Sequence, residues 1–260
     1  MTNPKHNDFV DALKNNEIWI YFAWQDIKLR YRRSKLGPFW ITLSMAIFCM
    51  MLGFIFSRLF KMDMEEYLPF LTTGFILWGL ISSVLIESPN LFVDNSEHLK
   101  NTKLNLLVVV LRMISRNFLI FLHNVVVIVC VCFYFKINPG FTILYLIPGL
   151  ILVLLNLIAM SVILSLIGAR YRDLTPMTQS FVQIIFFVTP LTWLPKLVSD
   201  GSWIIKINPF AYFLDLTRSP MLGIIPQKES WFIAIIFFLI LSFLARKLYN
   251  LKSKKITFWL

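Results

Sequence analysis

The chain is poor in the acids that an ion-driven transporter uses. Only 14 of its 260 residues are Asp or Glu. Those nearest the apolar runs, Glu87, Asp173 and Asp215, stand at run ends or in loops. An intramembrane carboxylate is the usual carrier of a coupling proton or cation, so a stand-alone secondary transporter is disfavoured. No Gly-x-x-x-x-Gly-Lys-Ser/Thr stretch occurs, which excludes a P-loop ATPase within the chain. The three histidines, His6, His98 and His123, are far apart, and neither His-Glu-x-x-His nor Gly-x-Ser-x-Gly is present. A membrane-embedded enzyme therefore has no clustered catalytic groups to work with. His123, beside Asn124 in an apolar run, is expected to hydrogen-bond a neighbouring helix. Cys49, Cys130 and Cys132 also lie in apolar runs, with no His or further Cys beside them. They read as buried thiols, and no metal is expected. Residues 1–17 are polar and no short apolar core with a cleavage site follows, so the first span is expected to serve as the targeting signal.

What is abundant is apolar. The sequence is 58% hydrophobic and 15% charged, with 25 Phe and eight Trp, against about 45–50% apolar and about 25% charged in soluble domains. This predicts an all-α integral membrane protein. Six runs approach the ~20 residues needed to cross ~30 Å of hydrocarbon: Trp40–Phe60, Leu68–Ile86, Asn117–Phe135, Phe141–Ala169, Met177–Leu194 and Trp231–Leu248. Six spans put both termini on one side. That side would hold eighteen of the 25 Lys and Arg and the other side seven, which makes it cytoplasmic. The net charge of +11 then reflects membrane orientation, and no nucleic-acid partner is implied. The chain divides into a tail and interface helix (1–36), the six-span region (37–248) and a second cytoplasmic tail (249–260).

Before the first span, Ile20, Trp24, Ile27 and Tyr31 share one helical face, and Gln25, Lys28 and Arg32 another. This predicts an amphipathic helix in the membrane interface. Glu87–Lys103 is polar and holds Pro89, so it reads as a cytoplasmic loop with room for a short helix. Arg112 and Arg116, one turn apart, are expected to snorkel or to meet lipid phosphate. Between spans five and six, 194–230 is apolar but broken by Pro195, Gly201, Pro209, Pro220, Gly223 and Pro226. Irregular backbone survives at membrane depth only under protein cover or beside water, which predicts short re-entrant helices there. Neutral polar groups inside the runs (Asn156, Ser161, Ser165, Gln179, Gln183) suit helix packing first and a polar path second. Sugar rings stack on aromatic faces, and Phe54, Phe75, Trp78, Phe186, Phe187 and Trp193 are candidates to line a glycan path.

Four segments carry a family resemblance. Asp26–Trp40 is similar to a D-x-x-x-R-Y-x-x-S-x-L-G-x-x-W motif, matched by Asp26, Arg30, Tyr31, Ser34, Leu36, Gly37 and Trp40. HLKNTKLNLLVVVLR follows, where Leu99 and Lys100 fit and Asn101 and Asn105 depart from the pattern. ARYRDLTP (169–176) is similar to an R-x-R-D turn. TPLTWLP and NPFAYFLDLTRSPMLG (208–223) complete the set. In this order the chain resembles the membrane subunit of polysaccharide-exporting ABC transporters, most closely the O-antigen branch, with capsule or teichoic-acid export as the alternative. The resemblance implies a homodimer in the bacterial inner membrane, bound to two copies of a cytoplasmic ATP-binding subunit. It implies export of an undecaprenyl-linked glycan, with no cofactor in this chain and ATP and Mg in the partner. It implies ATPase-coupling contacts at Glu87, Lys100, Arg170, Arg172 and Asp173, and a periplasmic gate at Asn208, Pro209, Phe210 and Arg218. It also implies that Arg30, Arg32, Arg33 and Lys35 meet the lipid pyrophosphate, a task suited to bidentate guanidinium groups.

Overall fold

A computed structural model describes residues 11–12, 14–30, 32–101, 105–195 and 202–260. Tyr31, Lys103 and the 196–201 stretch with Gly201 lie outside the described residues. The described residues form helices and turns, with no strand among them. The main helices are α1 (Asn16–Arg30), α2 (Phe39–Leu59), α3 (Met64–Glu87), α4 (Leu106–Tyr134), α5 (Leu146–Gly168), α6 (Leu174–Val188), α7 (Pro209–Met221) and α8 (Lys228–Lys252). Five helical stretches are long and apolar enough to cross a membrane: Phe39–Leu59, Met64–Asp94, Leu106–Tyr134, Gly140–Gly168 and Lys228–Lys255.

The expected fifth span is the exception. Its helix stops at Val188, because Thr189 precedes Pro190 and adopts extended backbone (φ −88°, ψ 136°). A residue before proline is pushed out of the helical region. The 15 residues of α6 rise about 22 Å, short of the ~30 Å core. α3, α4 and α8 outrun expectation. α4 begins at Leu106, well before Asn117, because the arginines that interrupt its apolar run have carboxylate partners. Pro89 does not break the path after α3. It sits in a 3₁₀ turn, Ser88–Asn90, that leads into the short helices Leu91–Asp94 and Ser96–Asn101.

α3 and α5 are the inner helices. In α3 67% of the apolar window is buried and in α5 50%, against 17% in α2 and 11% in α8. The outer faces of α2 and α8 present Phe48, Met51, Phe54, Phe232, Leu239 and Phe243, as a lipid-facing surface does. α1 is apolar around its whole circumference. Ala23 and Ile27 are buried, while Ile20, Tyr21, Phe22, Trp24 and Leu29 are exposed. The expected split into an aromatic face and a cationic face is therefore corrected. Ile27 leaves Ile20 and Trp24 and turns inward toward α4, on which α1 packs. Cys49 is buried, but Cys130 is exposed, contrary to expectation.

Small residues let backbones meet along α5. A Cβ on Gly168 would lie 2.7 Å from Pro89 Cα and C. A Cβ on Gly149 would lie 2.5 Å from the Leu216 carbonyl oxygen. Between them the buried Ser161 accepts from Ser88 Oγ (2.9 Å), and Ser165 Oγ donates to the Ser88 carbonyl (2.8 Å). Asn156 Nδ2 donates to Ala234 O of α8 (3.2 Å). These contacts replace the hydration that hydrocarbon cannot give.

The Gly168 approach is directly testable. Gly168→Ala should cost about 1–3 kcal/mol through overpacking and lower the melting temperature of the detergent-purified chain. Gly79→Ala, whose Cβ would meet only Met45 Cε at 4.0 Å, should leave it unchanged. Equal behaviour of the two variants would refute the packing account.

Candidate functional site

Chain direction places α1, the 88–101 segment, the α5–α6 turn and the residues after α8 at one end of the bundle. The α2–α3 and α4–α5 turns and α7 lie at the other. The first is the basic end. Ser34–Pro38 joins α1 to α2, and Gly37 turns there with φ +56°, a conformation open to glycine at little cost. Arg30, Arg32, Arg33 and Lys35 cluster around this turn, all exposed. All four sequence-predicted cations are thus at the surface.

Behind them lies an ion-pair cluster that sequence reasoning missed. Arg112 Nε and Nη2 donate to the two carboxylate oxygens of Asp26 at 2.9 and 2.6 Å. Arg116 reaches Asp26 at 3.6 Å and also pairs with Glu87. Asn117 Nδ2 donates to Glu87 as well (3.3 Å). The Arg112 guanidinium lies over the Phe22 ring, 5.2 Å from its centroid. Two acids and two arginines thus tie α1, the end of α3 and α4 into a neutral unit. Bidentate charge-assisted bonds of this kind are the strong ones. Arg112 and Arg116 do not snorkel to lipid phosphate, and Glu87 is engaged within the chain. A clue was present: Asp26 and Arg30 on one helix, Arg112 and Arg116 one turn apart on another, and few acids elsewhere to neutralise them.

The other coupling candidates separate from Glu87. Lys100, Arg170, Arg172 and Asp173 are exposed at the basic end. Thr175 Oγ1 donates to Asn90 Oδ1 across the two loops (2.9 Å), so the loops are held in register.

Between α3 and α6 runs an open cleft of about 390 Å³, lined by Trp78, Ser82, Ile86, Gln179, Val182, Gln183, Phe186 and Phe187. Its wall belongs to an aromatic chain. The Phe75 and Phe186 centroids are 5.6 Å apart, Trp78 and Phe186 6.1 Å, and Trp78 and Phe210 6.0 Å. Aromatic rings beside amides and a hydroxyl can stack and hydrogen-bond a polyol. Of the six aromatic candidates, Trp78, Phe186 and Phe187 line the cleft, and Phe75 supports it. Trp193 Nε1 donates to Phe187 O (3.1 Å) from the adjoining turn. Phe54 is apart, exposed on α2 beneath Arg58 (4.3 Å). Gln179 and Gln183 line the cleft, whereas Asn156, Ser161 and Ser165 serve packing.

At the opposite end, Asn208 caps α7 by accepting from Phe210 N (3.0 Å), and its amide donates to Thr189 (2.8 Å). Pro209 occupies the first turn of α7, where no backbone donor is needed. Arg218 is 8% exposed. It lies 3.9 Å over the Phe70 ring and donates to Pro190 O at 2.9 Å, while its Nε and Nη2 find no hydrogen-bond partner among the described residues. Gly74 makes room for it, since a Cβ there would stand 3.1 Å from the guanidinium carbon. Asp215, one turn back, is saturated by Ser219, Gln227 and Ser230. Asn208, Phe210 and Arg218 are thus buried, with Pro209 half-buried beside them, in a knot joining α3, the turn after α6 and α7. The His123 ring bonds Leu119 O of its own helix (2.8 Å), while its backbone carbonyl accepts from Thr42 Oγ1 of α2 (3.0 Å), so the expected bond to a neighbouring helix is made through the backbone.

The family model for ABC-2 type transporters matches residues 18–222. That stretch includes α1, the ion-pair cluster, the cleft and α7. The chain is similar to two proteins of Klebsiella pneumoniae named O-antigen export system permease protein RfbA. One is 27% identical and the other 26% over 197 residues, each covering 75% of this chain and 76% of the relative. It is also 21% identical over 216 residues to a protein of the same name from Myxococcus xanthus, covering 83% of this chain and 80% of the relative.

The ion-pair cluster makes a quantitative forecast. A double-mutant cycle with Asp26→Asn and Arg112→Gln, read by thermal or denaturant unfolding in detergent, should give a coupling energy of about 1–3 kcal/mol. Additive losses would show that the pair does not hold α1 to α4.

Proposed function

The chain belongs to the ABC-2 type transporter family, and from that premise we propose that it is the permease subunit of an ATP-driven exporter of lipid-linked polysaccharide of the O-antigen class. The observation that carries this reading is the open cleft between α3 and α6. Trp78, Phe186 and Phe187 offer stacking faces there, and Gln179, Gln183 and Ser82 offer hydrogen bonds. That mixture suits a neutral polymer of sugar rings. It offers no carboxylate to an ion. The names of the relatives support the same substrate class.

In this reading two copies of the chain pair in the bacterial inner membrane with the basic end in the cytoplasm, where a cation excess belongs. Each copy crosses the membrane six times, with α6 and the α7 segment together making the fifth crossing and its re-entrant return. Arg30, Arg32, Arg33 and Lys35 hold the pyrophosphate of an undecaprenyl-linked glycan as it approaches. Two copies of a separate ATP-binding subunit, which brings ATP and Mg, press on Lys100, Arg170, Arg172 and Asp173. Glu87 passes that movement to α1 through Arg116 and Asp26. Asn208, Pro209, Phe210 and Arg218 form the gate at the periplasmic end.

The test is reconstitution. The chain with its ATP-binding subunit should move a lipid-linked glycan into the lumen of vesicles only when ATP is supplied. Gln179→Leu with Gln183→Leu should cut that transport about tenfold or more while the complex still hydrolyses ATP, about 1.4 kcal/mol being a factor of ten. Transport by the chain alone, without ATP, would overturn the proposal. Arg172→Ala with Asp173→Ala should leave the fold intact and uncouple hydrolysis from export; unchanged export would remove those residues from the coupling contact.

A further inference from the structure

The chain's last helix, Ile256–Trp259, lies beyond the stretch that the family model matches. It follows α8 through the 3₁₀ turn Ser253–Lys255 and packs back on the short helix Ser96–Asn101. Ile256 is 1% exposed, and Leu99 on the facing segment is buried too. Trp259 is flanked by cations from two parts of the chain. Arg170 Cζ lies 5.4 Å from its ring centroid and Lys252 Nζ 5.8 Å. Arg170 also lies 5.4 Å from the ring centroid of Tyr171. Four residues therefore touch the segment after α3 on one side and the α5–α6 turn on the other.

Phe258 behaves differently from its neighbours. It is 80% exposed, although Ile256 and Trp259 on the same short helix face inward. In the segments that this helix joins and in the turn before it, the exposed cations Lys100, Arg170, Arg172, Lys254 and Lys255 outnumber the exposed acids Asp94, Glu97 and Asp173. An exposed aromatic knob on a face rich in cations is the composition of a protein-binding hot spot, in which a large ring fills a pocket and charges set the partner.

We infer that the helix Ile256–Trp259 straps the 96–101 segment to the Arg170–Asp173 turn, and that Phe258 with these cations forms one docking face for an acidic surface of the ATP-binding subunit. This inference rests on the export reading above. The strap decides the shape of the face. Trp259, clasped between Arg170 and Lys252, fixes the two cationic segments against each other, so a partner meets one preformed surface. Preorganisation of this kind lowers the ordering cost of binding. A protein rather than a lipid surface is the stated occupant because the face is built from three chain segments in fixed relation, and headgroups need no such register.

The experiment co-expresses the full chain with its ATP-binding subunit and measures how much of that subunit is retained on purification. Phe258→Ala, at an exposed position, should lower retention about tenfold or more. Trp259→Ala should lower it about fivefold, and Trp259→Tyr, which keeps a ring for the two cations, should restore most of it. Wild-type retention by Phe258→Ala or Trp259→Ala overturns the inference. So does a Phe258→Ala chain that keeps the subunit but binds anionic phosphatidylglycerol vesicles less well, since the face would then belong to lipid. If Trp259→Ala lowers chain yield, the Phe258→Ala result decides. Failure of the unsubstituted chain to retain the subunit would overturn the export reading together with this one, whereas normal retention by the variants would overturn this inference alone.

Discussion

Close backbone approach along α5 is the constraint on which the rest of the bundle depends. Gly149 admits the Leu216 carbonyl at one end, and Gly168 admits the Pro89 backbone at the other. The first contact seats α7, with Arg218 and the buried knot around it. The second seats the turn after α3, from which the loops at the basic end depart. Ser161 and Ser165 complete the seat by bonding Ser88. Both ends of the bundle are thus built on one inner helix. In hydrocarbon there is no hydrophobic pull between helices, so close packing and internal hydrogen bonds carry association. A displacement of the Ser88–Asn90 turn bears directly on α5, and α5 bears on α7.

The ion-pair cluster follows a related logic. Burying a charge near a membrane edge is expensive unless a partner neutralises it. Asp26, Glu87, Arg112 and Arg116 solve this collectively, with Arg116 shared between both acids. The result lets α4 run unbroken through two arginines, and it fastens α1 beside α4 although α1 carries apolar groups on every side. A helix with that composition would otherwise be held to the bundle only by Ala23 and Ile27 and their few neighbours.

Much of this was legible in the residues. Long apolar runs predicted five of the spanning helices, because length and hydropathy are local properties. The break at Pro190 is also local, yet the run Met177–Leu194 looked long enough because apolar side chains continue past the point where the backbone leaves the helix. The pairing of Asp26 with Arg112 was not legible, since the two are far apart in sequence and each has a respectable reading alone. The aromatic candidates divided for the same reason. Composition marks a ring as available, but only packing brings Trp78 and Phe186 to one cleft and leaves Phe54 outside. The neutral polar groups of α5 and α6 looked alike in sequence, and their roles separated only when Asn156 met Ala234 while Gln179 and Gln183 lined open space.

The shortness of α6 has a consequence for permeation. A hydroxyl-rich chain entering hydrocarbon loses its water along the whole length of the apolar layer, so the barrier grows with the distance crossed. Along α6 the apolar helix lasts about 22 Å instead of about 30 Å. Beyond it the backbone of 189–195 and the α7 knot present carbonyls and amides. On the proposed export reading, the apolar helical path is shortest along α6, beside the cleft.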